Sequence, residues 1–290
     1  MRALTPLLVL AAACGTADKG TDTVDTDGDT DVGTDTFDTD AEACVSSATV
    51  STSCALDAGT ALFGTLVDGA GAPLGRGGFL VQYCRDVCLT PTCFDGNSWA
   101  FADVEPGDGS FHIKPTCADD RFADVYAPLV VDAGTQRGVD VVIPKLGAAV
   151  ALPDAATEIE VVAGVHLTLG KDSLTPPPLE PKATEVAGVD ATAVAAPIEG
   201  LGAGTVRAVF YLSPFDYTSS AGVAVRLDNS WSLASGAAEL WVGNYNAFLD
   251  EPDTDPWQKV GTLTLDGDGK LVPGATLPRL STLVVFEPSP

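Results

Sequence analysis

The chain has 290 residues, with 15 Lys and Arg against 40 Asp and Glu, for a formal charge of −25. That balance excludes a nucleic-acid binder, which needs clustered cations to displace phosphate counterions, and disfavours electrostatic docking on anionic lipid. Two histidines leave little for His-based catalysis or a multi-His metal centre, and the length predicts roughly two domains at about 100–200 residues each.

Residues 1–13 read MRALTPLLVLAAA and precede Cys14. Arg2 supplies a positive start, Ala3 to Ala13 an apolar run, and small residues lead into the cysteine; this is the layout of a secretory signal peptide. The run is too short to cross a bilayer, which takes about 20 residues. Its ending, Ala11-Ala12-Ala13-Cys14, resembles the lipobox of bacterial lipoproteins, although Ala11 stands where Leu is usual. The resemblance implies that Cys14 is acylated and becomes the new N-terminus. With Gly15 rather than Asp behind it, the implied destination is the outer membrane, on the periplasmic or cell-surface side. The other reading is an ordinary signal peptide cut after Ala13, which would leave a free thiol.

Residues 14–43 read as a disordered tether. Between positions 20 and 40 there are 8 Asp, 7 Thr and 3 Gly, so little apolar surface is present to offset the entropy of ordering, and like charges extend the chain. Asp25, Asp27, Asp29 and Asp31 look like a calcium loop, but an EF-hand needs Gly at its sixth position. With Gly28 sixth, the first position is Thr23, so the register fails.

Setting Cys14 aside leaves six cysteines, Cys44, Cys54, Cys84, Cys88, Cys93 and Cys117. An even number in an exported chain reads as a disulfide framework whose connectivity stays open. Zinc is the alternative use of the thiols, but no paired C-x₂-C spacing is present.

Beyond residue 43 the pattern is short β runs cut by Gly, Pro, Asp and Asn, which predicts an all-β fold of two β-sandwich domains, residues 44–145 and 146–290. The runs are Ala61–Val67, Phe79–Tyr83, Trp99–Val104, Ser110–Lys114, Val125–Val131, Val139–Ile143, Glu158–Val162, Val165–Leu169, Val206–Leu212, Gly222–Leu227, Ala238–Val242, Val260–Leu265 and Leu280–Phe286. Asp68-Gly69, Gly107-Asp108-Gly109 and Asp266-Gly267-Asp268-Gly269 read as turns between them.

In the first domain FGTLVDGAGAPLGRGGFLVQYC (residues 63–84), DGSFHI from Asp108 and the closing GVDVVIP resemble the carboxypeptidase regulatory-like, transthyretin-related sandwich. That family implies a Greek-key module without catalysis of its own; the cysteine-rich insertion RDVCLTPTCFDGN departs from it. In residues 146–290, GVHLTL, VFYLSP, GVAVRLDNSWSL, AAELWVGNYN, WQKVGTLTLDGDGKLV and LSTLVVF resemble ZU5-related β domains.

No G-x-S-x-G, P-loop, H-E-x-x-H or Rossmann pattern occurs, and the absence of His-x-His argues against an intradiol dioxygenase centre on the transthyretin-like scaffold. His112 and His166 read as strand residues, and no catalytic residues are assigned. Asp250, Glu251, Asp253 and Asp255 could supply oxygens to Ca²⁺, the one cofactor considered; the plainer reading is an acidic hairpin loop. Trp231, Trp241, Tyr245, Phe248 and Trp257 are read mainly as β-sandwich packing, with Trp241 and Trp257 the candidate contacts for a glycan. The expected function is a non-enzymatic surface lipoprotein that displays two β modules on an acidic tether, with the membrane as partner through its lipid and no nucleic acid. The alternatives are a carbohydrate- or protein-binding adhesin and, behind it, a secreted hydrolase or accessory module.

Overall fold

The computed structural model describes residues 54, 59, 61–85, 87–116, 121–178, 180–244 and 255–289. The expected signal peptide and tether, and Cys14, Cys44 and Cys117, lie outside them. Within the described residues the fold is all-β, as the alternating runs predict.

The first module holds β1 (Ala61–Asp68), β2 (Phe79–Cys84), β3 (Cys88–Leu89), β4 (Cys93–Asp95), β5 (Ser98–Ala102), β6 (Gly107–Pro115), β7 (Val125–Val131), β8 (Gln136–Gly138) and β9 (Val141–Ile143). One sheet runs β4-β5-β1, with β8 and β9 both on the far side of β1; the other runs β3-β2-β6-β7. Period-two alternation sends Leu62 and Leu66 of β1, Val81 and Tyr83 of β2, and Phe111 and Ile113 of β6 into the space between the sheets. There the Trp99 ring stacks on Phe111 at 4.8 Å.

β8 and β9 pair parallel with successive halves of β1, and between them Asp140 accepts the Thr65 N–H (3.1 Å) and hydroxyl (2.7 Å). A Cβ on Gly64 would overlap the Val139 carbonyl, so only glycine lets this segment lie against β1. The expected turn at Gly107-Asp108-Gly109 is instead the start of β6, paired with Val131, Val130 and Leu129. Gly109 is there because the Tyr83 ring lies where a Cβ would stand.

The second module holds β10 (Val150–Ala151), β11 (Thr157–Val162), β12 (Val165–Leu169), β13 (Glu185–Asp190), β14 (Gly204–Ser213), β15 (Thr218–Leu227), β16 (Ala238–Gly243), β17 (Trp257–Leu265), β18 (Leu271–Val272), β19 (Leu277–Arg279) and β20 (Leu283–Pro288). They form one 11-stranded sheet in the order β10-β13-β14-β20-β16-β17-β18-β15-β12-β11, with β19 on β15. The β17–β18 pairing leads from one layer into the other, and β11 returns beside β13, so the sheet nearly closes on itself.

β14 and β20 are buried on both faces. Ala208, Phe210, Leu212, Leu283 and Val285 fill the interior of the second module. Val209, Tyr211, Val284 and Phe286 belong to a core that also contains the interior of the first. Residues 191–201 strap that outer face, with Ala191 and Ala196 buried in it and the Ala196 N–H donating to the Tyr211 hydroxyl at 3.2 Å. One continuous apolar core therefore crosses the position expected as a domain boundary.

Among the described residues two disulfides are formed, Cys54–Cys93 and Cys84–Cys88, separated by 39 and 4 residues. The first ties the chain ahead of β1 to β4; the second closes the β2–β3 hairpin, whose tip exposes Val87 (68%). Both answer the expected disulfide framework.

Loop-closure entropy predicts that Cys54→Ser/Cys93→Ser costs about 4 kcal/mol and Cys84→Ser/Cys88→Ser about 2 kcal/mol, read from urea midpoints. Gly64→Ala is expected to cost about 3 kcal/mol or more, whereas Gly69→Ala, with open space around it, should stay within about 0.5 kcal/mol.

Candidate functional site

The densest set of chemically capable side chains lies on the outer face of β11, β12 and β15. Alternation that sends Val165, Leu167 and Leu169 inward turns His166 and Thr168 outward. His166 stands directly across from Glu160 on β11 and Arg226 on β15.

His166 Nε2 is 3.1 Å from Asp228 Oδ1, and the Lys270 ammonium lies 2.7 Å from each. Glu160 closes the group, its Oε1 accepting the Gly164 N–H at 2.9 Å. The Lys270 ammonium holds the Asp228 carboxyl below its ordinary range against desolvation, and His166 acts in the same direction. On the neighbouring strand, directly across from His166, Arg226 collects three carboxylates, Asp266 and Asp268 at 2.7 Å and Glu158 at 3.1 Å. Asp266 in turn accepts the N–H groups of Asp268 and Lys270, each at 2.9 Å, which fixes the Asp-Gly-Asp-Gly turn.

Ligand atoms of Glu160, His166 and Asp228 come within 4.8 Å of one another, close enough to surround a cation. The donor set does not fit a metal as it stands. A histidine ligand must offer the Nε2 lone pair, and here an ammonium already sits against both that nitrogen and the carboxylate. The same ammonium blocks His166 as a general base, and no hydroxyl is among its hydrogen-bond partners on the described residues.

Beside this cluster, on the same face, lies a shallow groove of about 250 Å³ lined by Thr168, Ser173, Ser219, Ser220, Thr276 and Asp172. Small residues shape it: Ala224 leaves the sheet surface low, and Gly222 lets the Thr276 side chain lie against the strand.

The residues singled out from sequence divide. Trp257 is corrected as a glycan contact: it is 3% exposed, its indole N–H donates to the Glu199 carbonyl at 2.6 Å, and its ring meets Tyr126 of the first module edge-on at 6.1 Å. Trp241 is half-buried, with its N–H on Glu239 at 3.1 Å. Trp231 packs edge-on against Phe210. Asp255 is exposed and its backbone carbonyl accepts the Asn244 amide at 3.0 Å; Asp250, Asp253, Tyr245 and Phe248 lie outside the described residues. His112 is buried, as expected of a strand residue.

Sequence reasoning missed Asp228 and Lys270. They follow β15 and precede β18 without a motif; the β12–β15 pairing brings Asp228 to His166, and the β15–β18 pairing brings Lys270. The legible signal was the Asp266-Gly267-Asp268-Gly269 turn, which aims Lys270 back over the sheet.

Lys270→Met removes the resident cation while leaving the three ligand side chains in place. Zn²⁺ is expected to leave the melting temperature of the natural protein unchanged within about 1 °C and to raise that of Lys270→Met by several degrees through mass action. A scan against family models matches no family, and no curated protein sequence matches this chain.

Proposed function

We propose that the protein is a non-enzymatic surface lipoprotein in which an acylated Cys14 anchors an acidic tether that presents the two β modules as one rigid body. The observation that carries this reading is the junction between the modules. The Tyr126 hydroxyl on β7 donates to the Pro256 carbonyl at 3.1 Å, and its backbone carbonyl accepts the buried Thr282 hydroxyl at 3.2 Å. A Cβ on Gly243 would stand 2.6 Å from its ring. Glu199 on the strap pairs with Arg137 of β8 and accepts the Val130 N–H at 3.0 Å. A body built this way fixes its loops relative to one another, while the tether sets how far they reach from the membrane.

The histidines support display over turnover. His112 is sealed in the junction, and the His166 ring nitrogen faces the Lys270 ammonium. The quoted motifs of the first module fall on β1, β2, β6 and β9, in keeping with a carboxypeptidase regulatory-like sandwich, and the ZU5-like reading of the second belongs to the same proposal. The disulfides fit export to an oxidising compartment. The adhesin reading loses Trp257 but gains the hydroxyl-lined groove; glycan binding abolished by Ala224→Trp, which fills that groove, would favour it.

Mass spectrometry of protein purified from membranes tests the main reading. The expected N-terminal peptide begins at a diacylglyceryl-modified Cys14, and no free thiol is expected among the other six cysteines. An intact Met1 terminus with free thiols would overturn it.

A further inference from the structure

The groove beside the His166 cluster is an opening in the sheet rather than a dip on its surface. The β12–β15 ladder ends at the Thr168–Ala224 pair and returns as the isolated Thr175–Thr218 bridge. On its other edge β15 meets β19 at Thr218 and Val223, with a register shift between them. Residues 219–222 therefore have no register partner on either neighbouring strand. Gly222 permits the detour: its φ is 73°, and a Cβ there would overlap the Thr276 hydroxyl. The opposite wall is fixed as well. The Lys171 N–H donates to the Pro153 carbonyl at 2.9 Å, and the Gly170 N–H donates to Ser173 Oγ at 2.8 Å.

The lining selects among ligand classes. The hydroxyls of Thr168, Ser173, Ser219, Ser220 and Thr276 can each donate and accept, whereas the Asp172 carboxylate accepts. Ser173 accepts from Gly170 and so keeps its own proton for a ligand. Ala221 and Ala224 offer methyl groups to a C–H surface. No Lys, Arg or His lines the groove among the described residues. The cations nearby are engaged: Lys182 lies 3.3 Å from Asp172, Lys270 holds Asp228, and Arg226 holds three carboxylates. A phosphate or carboxylate ligand would meet acceptors here with no cation to pair with. At about 250 Å³ the groove falls below the range of about 300–1,000 Å³ that holds larger ligands, which leaves room for a single ring.

We propose that the groove is a binding site for a neutral saccharide. One sugar ring sits in it, its hydroxyls paired with the Ser and Thr side chains and Asp172, and its C–H face on Ala221 and Ala224. The inference rests on the adhesin reading and narrows it to an uncharged sugar at one place on the second module. The lining contains no aromatic ring among the described residues, so hydrogen bonds carry the selection, and a single ring binds with a Kd of roughly millimolar order. Binding of an uncharged ligand is insensitive to salt, unlike capture of a cation by the acidic surface.

Saturation-transfer NMR and calorimetric titration of the full chain test the site, with glucose, galactose, mannose and N-acetylglucosamine as probes and glucuronate and a lysine-rich peptide as charged comparisons. At least one neutral sugar is expected to bind, with the same Kd at low and high salt and about tenfold or more ahead of glucuronate. Thr168→Val keeps the strand's shape and removes one hydroxyl, which should weaken that sugar about three- to tenfold. Thr205→Val, on β14 away from the groove, should leave the Kd unchanged. Binding confined to glucuronate or to the peptide, or no neutral sugar bound up to about 50 mM, would overturn the proposal, the latter together with the adhesin reading. Sugar binding that is equal in the natural protein, Thr168→Val and Ala224→Trp would overturn the groove alone and leave the adhesin reading to another surface.

Discussion

Tyr126 is the side chain on which the architecture turns. It belongs to an outer strand of the first module, yet its ring lies against Gly243 and Trp257 of the second. Domains joined by a linker move relative to one another unless their interface is large and apolar. Here the apolar core of the first module continues through Trp257, Val284 and Phe286 into the outer face of β14 and β20. A fully buried aromatic contributes roughly 2–3 kcal/mol by area alone, and the polar contacts at Thr282, Pro256 and Glu199 add direction to that adhesion. The position of each module is consequently set by the packing of the other.

The charge of the chain is handled in two different ways. The Asp-rich segment ahead of the modules has no cations interleaved with it beyond Lys19, whereas the two modules arrange their acids around scarce bases. Arg226 serves three carboxylates and Lys270 serves Asp228 and His166. Exposed pairs of this kind contribute little stability each. Their effect is to give the sheet face one defined arrangement and to blunt its attraction for free cations. Sheet edges are treated similarly: at Val130 the backbone N–H is taken by Glu199 and the carbonyl by Arg137, which withholds the end of β7 from another strand.

Strand positions were legible where apolar residues alternate, as in Val165–Leu169 (β12), or run on without a break, as in Val125–Val131 (β7). β13 was not, because EVAGVD carries a glycine in place of a core side chain; Gly188 is needed where the strand crosses Val162 and Leu212. The split of the last strand into β8 and β9 depends on Asp140 capping Thr65 from the far end of the domain. The glycines of β6 read as a turn because turn glycines and close-approach glycines have the same letter. Trp257 looked like a surface candidate beside acidic residues, and its burial comes from Tyr126, a partner 131 positions earlier in the chain. The His166 cluster was half visible: the strand placed the histidine, while its partners were set by pairing that no local pattern encodes.

The two modules share one apolar core. The most direct test is calorimetric unfolding of the intact chain at neutral pH, followed in parallel by far-ultraviolet circular dichroism and tryptophan fluorescence. The predicted result is a single transition at the same temperature by every probe, with the calorimetric and van't Hoff enthalpies equal. Two separable transitions, one of them retained when residues 146–290 are expressed alone, would contradict it.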